Sequence, residues 1–240
     1  MADPIYEHPR LAALYDSLDP DRSDLDVYAG IVNELGATRV LDVGCGTGCF
    51  ALLLAAAGLE VIAVDPARAS LDVARAKPGA DRVDWIHGDA TTLPPLSVDV
   101  ATMTGNVAQA IADDAHWDAT LRGIHGALRS GGHLVFETRN PAREAWREWH
   151  DDAHEIAEID GVGAVEHWGE LTDVSLPFVT FRWTVVFPDG EVLASDSTLR
   201  FREREEVEAA LVEHGFVVDE IRDAPDRPGR EFVFVARRRS

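Results

Sequence analysis

The chain has 240 residues, and its 22 basic and 43 acidic side chains leave a formal net charge of −21. With 46% hydrophobic and 27% charged residues it lies near the globular average, which excludes a wholly disordered chain. So acidic a surface repels phosphate backbones, whose affinity for proteins comes from Lys and Arg displacing condensed counterions, and nucleic acid is disfavoured as a partner.

The start, Met1-Ala2-Asp3-Pro4, has neither the basic nor the apolar region of a secretory signal. Residues 1–36 are helical in pattern, and we expect them to form a lid. Leu11, Leu14, Tyr15 and Leu18 recur at helical spacing, as do Leu25, Tyr28, Ile31, Val32 and Leu35, which stop at Gly36. Asp19 to Ser23 reads as the turn between them, with Ser23 or Asp24 as N-cap.

A different rhythm begins at Arg39. Val40–Val43, Val61–Val64, Val83–Ile86, Val98–Met103 and His133–Glu137 read as strands. Helices are expected over Phe50–Ala57, Ala67–Ala76 and Asp113–Leu128. Strands alternating with helices imply a parallel sheet covered on both faces. The longest apolar stretch, Ala51 to Leu59, falls well short of the roughly 20 residues that span a bilayer, so no membrane segment is expected and the location is taken as cytoplasmic.

After Asn140-Pro141 the period changes. A short helix, Ala142 to Trp149, precedes β-like runs at 164–172, 178–187 and 192–201, the last two joined by the turn Pro188-Asp189-Gly190. Consecutive strands without helices pair antiparallel, so residues 141–202 form an inserted sheet, expected to cap the substrate site. An exposed edge on it would support a homodimer. A helix over Glu205–His214 and strands at Phe216–Ile221 and Glu231–Ala236 complete the core, residues 37–140 with 203–240. Arg237 to Arg239 reads as a solvated tail.

Chemistry concentrates at the carboxyl ends of the first three strands. Val40-Leu41-Asp42-Val43-Gly44-Cys45-Gly46-Thr47-Gly48 turns a strand into a helix through three alternate glycines, which lets a ligand pack against main-chain N–H groups. The dinucleotide fingerprint needs glycine where this chain has Cys49, so the spacing departs from the NAD pattern. Asp65 ends the second strand, 21 residues after Gly44, where an acid accepts from ribose hydroxyls; the structural alternative is a helix N-cap ahead of Pro66 at N1. Asp89, in Gly88-Asp89-Ala90 after the third strand, is placed for an exocyclic amine. Cys45 and Cys49 are too few for a disulfide framework or a four-ligand zinc site, and read as small fillers.

VLDVGCGTG, VIAVDPA and GDATTLP, in this order and spacing, resemble the class I S-adenosylmethionine-dependent methyltransferases over residues 37–140 and the final helix and strands. The resemblance implies a Rossmann-like α/β fold: a seven-stranded, mostly parallel sheet with helices on both faces and the last strand antiparallel, here with a small antiparallel insertion. It implies S-adenosylmethionine as cofactor and S-adenosylhomocysteine as product. Gly44, Cys45 and Gly46 would line the methionine end above Asp42, with Asp65 and Pro66 at the ribose and Asp89 and Ala90 at the adenine. Met103, Thr104, Gly105 and Asn106 would face the sulfonium. The Asn/Asp-Pro-Pro-Tyr stretch typical of relatives that methylate amide or nucleobase nitrogens is missing, which favours a small-molecule acceptor over a polymer.

Glu137, Arg139, Asn106 and His116 are the catalytic candidates by position. Glu137 would orient an amine or take a proton, and Arg139 would pair with a carboxylate; the alternative is an ion-pair network bracing the loop before Pro141. Trp146, Trp149, Trp168 and Trp183 form either an aromatic wall for a substrate or the insert's own core. His150-Asp151-Asp152-Ala153-His154 carries metal-ligating side chains but reads as a solvated run, and no metal is predicted. The expectation is methyl transfer to a nitrogen or oxygen of a small molecule. The rivals are a non-catalytic cofactor-binding protein, an enzyme using the same cofactor for other chemistry, and an NAD-dependent oxidoreductase.

Overall fold

A computed structural model describes residues 2–149, 154–225 and 227–239. The chain opens with three helices, α1 (Pro4–Glu7), α2 (Pro9–Leu18) and α3 (Asp24–Glu34). There follow β1 (Arg39–Val43), α4 (Cys49–Ala56), β2 (Glu60–Asp65), α5 (Arg68–Ala76), β3 (Val83–His87) and β4 (Val98–Met103). Then come α6 (Val107–Ala110), α7 (Asp114–Ala127) and β5 (Leu128–Arg139). Strands β6 (Glu155–Ile159), β7 (Gly163–Ser175), β8 (Phe178–Val186) and β9 (Val192–Arg200) precede α8 (Arg204–Glu213), β10 (Phe216–Asp223) and β11 (Glu231–Arg238).

The seven-stranded sheet has the order β10-β11-β5-β4-β1-β2-β3. Strands β1 to β5 pair in parallel, and β11 runs antiparallel to both β5 and β10. Side chains alternate across the pleat, so strands apolar at every position must be covered twice. Leu41, Val43, Ile62 and Val64 pack against Leu121 and Ile124 of α7 and Leu211 of α8. Val40, Val61 and Ala63 pack on the other side with Ile31 and Val32 of α3 and Phe50 and Leu54 of α4. Strand β1 has β2 on one side and β4 on the other, so the order reverses there and a crevice opens at its carboxyl end.

The inserted sheet, β6-β7-β8-β9, is antiparallel throughout. It has one strand more than its sequence suggests, because β6 is short and mostly exposed, with only Ile159 buried. Where a helix is expected from Ala142 to Trp149, the chain makes two 3₁₀ turns, Pro141–Arg143 and Ala145–Glu148, since Glu144 adopts a left-handed φ of +46°. Arg237 and Arg238 belong to β11 rather than to a solvated tail; Arg237 pairs with Asp219 at 2.8 Å. Residues 150–153 of the polar run lie outside the described residues, while His154 stacks on Trp168 and contacts Glu166 at 2.6 Å. No helix among the described residues is long and apolar enough to cross a membrane.

The first 36 residues divide. Helix α3 belongs to the core layer, whereas α1 and α2 pack Ile5, Leu11 and Leu14 against Val165, Val185 and Phe187 of the inserted sheet and the turn after it. The Ile5 N–H donates to Ser195 Oγ at 2.9 Å.

Candidate active site

A cavity of about 300 Å³ fills the crevice above β1, at the small end for a ligand pocket. Its floor is made by the chain turns after β1, β2, β3 and β4; its roof is Tyr6 and Tyr15 from α1 and α2. Asp42, Gly44, Cys45, Gly46, Asp65, Pro66, Asp89, Ala90, Thr104 and His116, all singled out from the sequence, line it.

Gly46 has φ +54°, a conformation that favours glycine, and a Cβ there would enter open space. The loop therefore presents bare backbone to the cavity. Asp65 ties this loop to the turn after β2, its two oxygens accepting from Gly46 N–H of the loop and from Ala67 N–H, both at 2.7 Å. Asp65 does not cap α5, which starts three residues later and has Ala67 as N-cap; Pro66 is thus free of the N1 position and lines the cavity. Burial raises the Asp65 carboxyl, and the two N–H donors pull it back in part.

Asp42 sits deeper, 1% exposed. One oxygen accepts from Thr102 Oγ1 at 3.0 Å, and Oδ2 has no hydrogen-bond partner among the described residues. Burial pushes this carboxyl up to about 7, against the Thr102 bond and with a further push from Asp65. A buried carboxylate oxygen without a donor is costly, and at a cavity wall it marks the place for a cationic or N–H-bearing ligand group.

At the opposite end Asp89 accepts from Thr91 N–H at 2.8 Å and faces His116 Nε2 at 3.4 Å. Burial pushes its carboxyl upward, but Thr91 and His116 outweigh that and hold it below the usual range. His116 thus belongs with Asp89, far along the cavity from Asp42 in the order of the strands. Met103 is wholly buried in the core beside Phe136, so only its successors Thr104 and Gly105 reach the cavity.

The remaining candidates form a separate group. Glu137 Oε1 accepts from Asn106 N–H at 2.7 Å, and Arg139 Nε donates to Asn106 Oδ1 at 3.0 Å. Asn106 has φ +67°, so the pair of contacts clamps a strained residue directly after Gly105. Arg139 lies over Trp149 at 5.0 Å. Trp146 and Trp149 pack with Phe201, Val179 and Phe181, and Trp183 packs in the cluster under α1 and α2. Among the described residues none from 141–202 lines the cavity; the insert supports its roof instead. Arg202 fastens the end of the insert to the floor, donating to the carbonyls of Ala108 at 3.2 Å and Ile111 at 2.8 Å.

Sequence reading missed Arg22, Asp3 and Tyr6. All three line the cavity from the N-terminal segment, where no motif marks them. The one signal was the helical periodicity that placed aromatic residues on the same segment. A latch was also hidden. Asp16 of α2 accepts from Thr47 Oγ1 and Cys49 Sγ of the glycine turn and pairs with Lys77 Nζ, which donates to Thr47 O at 2.7 Å.

Residues 40–132 match the family described as "Methyltransferase domain". The chain is 34% identical over 146 residues to a cypemycin N-terminal methyltransferase from a Streptomyces species, covering 59% of this chain and 60% of that protein. It spans between about a quarter and three fifths of the length of the first curated relatives it matches. A S-adenosylmethionine-dependent methyltransferase from Clostridium acetobutylicum ATCC 824 superimposes with a TM-score of 0.79 at 17% identity, over 96% of this chain and 98% of that one. The amino pentose methyltransferase CalS10 from Micromonospora echinaspora, solved with S-adenosylmethionine bound, gives a TM-score of 0.70 at 24% identity, over 94% and 96%. At these identities the structural likeness shows the fold.

Proposed function

We infer that this chain is a class I S-adenosylmethionine-dependent methyltransferase that binds S-adenosylmethionine in the cavity above β1 and directs its methyl group to a small molecule. The observation that carries the reading is Asp42 Oδ2, a buried carboxylate oxygen lacking a donor at the wall of a cavity floored by bare glycine backbone. That donor set fits an amino-acid ammonium. In this reading Asp42 holds the ammonium and Gly44, Cys45 and Gly46 lie along the methionine chain. Arg22, the cavity's one arginine among the described residues, pairs with the carboxylate. Asp65 and Pro66 take the ribose, and Asp89 with Ala90 the adenine.

When bound, the cofactor supplies an electrophilic methyl group on a sulfonium. The chain's own contribution is alignment and exclusion of water. Tyr6 and Tyr15, with ring centroids 5.5 Å apart, close the roof. The clamp of Glu137 and Arg139 on Asn106 fixes the loop at the methionine end and so positions Gly105 and Thr104. A roofed site favours a small acceptor over a polymer, in keeping with the amino pentose named for CalS10.

Calorimetric titration with S-adenosylmethionine, S-adenosylhomocysteine and NAD tests this. Wild type should bind the two sulfur ligands. Asp65→Ala removes the acceptor of two loop N–H groups as well as the ribose partner, and should weaken them by about 100-fold or more. Binding of NAD in their place would overturn the reading.

A further inference from the structure

Gly105 lines a second chamber, of about 20 Å³, behind the cavity. Its other walls are Asp24, Tyr28, Asn106, Glu137, Arg227 and Glu231. A site for one water needs roughly 10–15 Å³ and two to four polar partners, and the chamber offers both.

Its two buried carboxyls are partnered differently. Glu231, 4% exposed, accepts from Arg227 at 2.9 Å and lies 3.7 Å from Arg139 Nη1. Glu137 is 3% exposed; its Oε1 takes the Asn106 N–H, and Oε2 has no hydrogen-bond partner among the described residues. Burial pushes the Glu137 carboxyl up to about 7, opposed by Asn106 N–H and, weakly, by the Tyr28 hydroxyl, and reinforced by Glu231. The charged groups facing it are therefore Asp24 from α3, Glu231 and Arg227 from β11 and the loop before it, and Arg139 from its own strand. Asp24 faces Arg22 Nε at 3.5 Å and Glu231 faces Arg227 and Arg139, so an ionised Glu137 keeps Oε2 unmet among the described residues, and that oxygen favours a proton or an N–H-bearing group.

We propose that Glu137 is the proton acceptor of this site and that the methyl acceptor is an amine, which enters as its ammonium beside Gly105 and passes a proton through one chamber water to Glu137 Oε2. This rests on the methyl-transfer reading and names its substrate class. An ammonium has no lone pair with which to attack, so the proton must leave first. The step balances: an N–H bond breaks with its electron pair staying on nitrogen, the water hands on one of its own protons as it receives another, and an O–H bond forms on Glu137. The ammonium and carboxylate become a neutral amine and a neutral acid. A base that titrates near the working pH is the most effective kind for such a transfer.

Glu137→Gln tests the proposal, since the amide oxygen can still accept the Asn106 N–H and keep the clamp. The first readout needs no turnover: infrared spectra of the unliganded protein across pH 5–9. Asp42 titrates in the same range, so spectra are compared on an Asp42→Asn background. A protonated-carboxyl band lost as pH rises through about 7, and missing from the Glu137→Gln protein, is expected. The second readout is kcat against pH with small amines. Wild type should rise through about pH 7; Glu137→Gln should lose that limb and about 100-fold at neutral pH, with its melting temperature and S-adenosylmethionine affinity kept.

A band that persists in Glu137→Gln, or a superimposable pH profile, overturns the proton assignment. Turnover of phenols or acids but of no amine overturns the substrate class. Failure of the wild type to bind S-adenosylmethionine sinks the underlying reading and this proposal with it, a signature distinct from any result on Glu137.

Discussion

Asp42 and Asp196 are both strand aspartates, and they live under opposite rules. Asp196, in the inserted sheet, stands in solvent and accepts from Nε and Nη2 of Arg182, at 2.7 and 2.8 Å, which holds its carboxyl below the usual range. Asp42, in the parallel sheet, is buried with one oxygen unpartnered and its carboxyl pushed up to about 7. The same contrast runs through the two sheets. Exposed charges on the insert pair off, as Arg10 and Asp189 do across to the roof at 2.9 Å, while the parallel sheet keeps Asp42 and Glu137 short of partners at its carboxyl end. A surface pair is worth little either way, whereas an unmet buried carboxylate is expensive and persists where something else meets it. The contrast separates the sheet that carries the cavity from the sheet that supports its roof.

The largest expected effect comes from removing the buried charge. Asp42→Asn should weaken S-adenosylmethionine about 100-fold at pH 8, and wild-type affinity should itself fall as pH drops below about 7, where Asp42 takes a proton; the variant should lose that dependence. Stability moves the other way. The folded-state value lies above the unfolded one, so the unliganded protein binds the extra proton when folded, and Asp42's contribution is lost as pH rises from about 4 to about 7. Melting curves at pH 5 and pH 8 should show Asp42→Asn gaining on wild type at the higher pH. A gap between variant and wild type that is the same at both pH values would mean that the carboxylate is solvated after all.

A smaller effect is expected where the glycine turn meets the core. Gly48 has φ +81°, and a Cβ there would lie 2.5 Å from Trp85 Cη2 and 2.9 Å from Ala74 Cβ. Gly48→Ala should lower the unfolding free energy by about 2–3 kcal/mol in urea titration. At Gly30, inside α3, a Cβ would meet no atom within 4 Å, and Gly30→Ala should raise it by about 0.4–1 kcal/mol. If the two variants behaved alike, packing at the turn would not be what requires glycine.

The parallel sheet is legible in the sequence because its strands are apolar on both faces and its glycine turn is local; β4 reads to the residue, and β1 to β3 nearly so. The roof is not. Arg22, Asp3 and Tyr6 reach the cavity only because α1 and α2 dock on the insert, a contact between residues some 150–190 positions apart, and no local pattern encodes it. For the same reason the support that the insert gives the roof is not legible, although among the described residues none from 141–202 lines the cavity. Glu137 and Arg139 are found by their place at the end of β5, but their partner Asn106 clamps through a left-handed residue that propensity does not foresee.

The boundary between the two regions is the Asp16 latch, where the roof is tied to the floor. Burial pulls the Asp16 carboxyl upward, but Lys77 and Thr47 outweigh it and hold it below the usual range. Its stabilising contribution is thus present above about pH 4 and lost as pH falls below that. Asp16→Asn keeps a hydrogen bond to Thr47 but gives up the charge on Lys77, so the global fold should stand while the roof loosens. Amides of α2 should exchange faster by a factor on the order of 3–10, with those of α7 unchanged, and the cofactor should leave faster by a similar factor. Uniform acceleration across both helices would show that Asp16 holds the core and not the roof. Unchanged exchange in α2 would show that the apolar contacts of Leu11 and Leu14 on the inserted sheet close the roof without it.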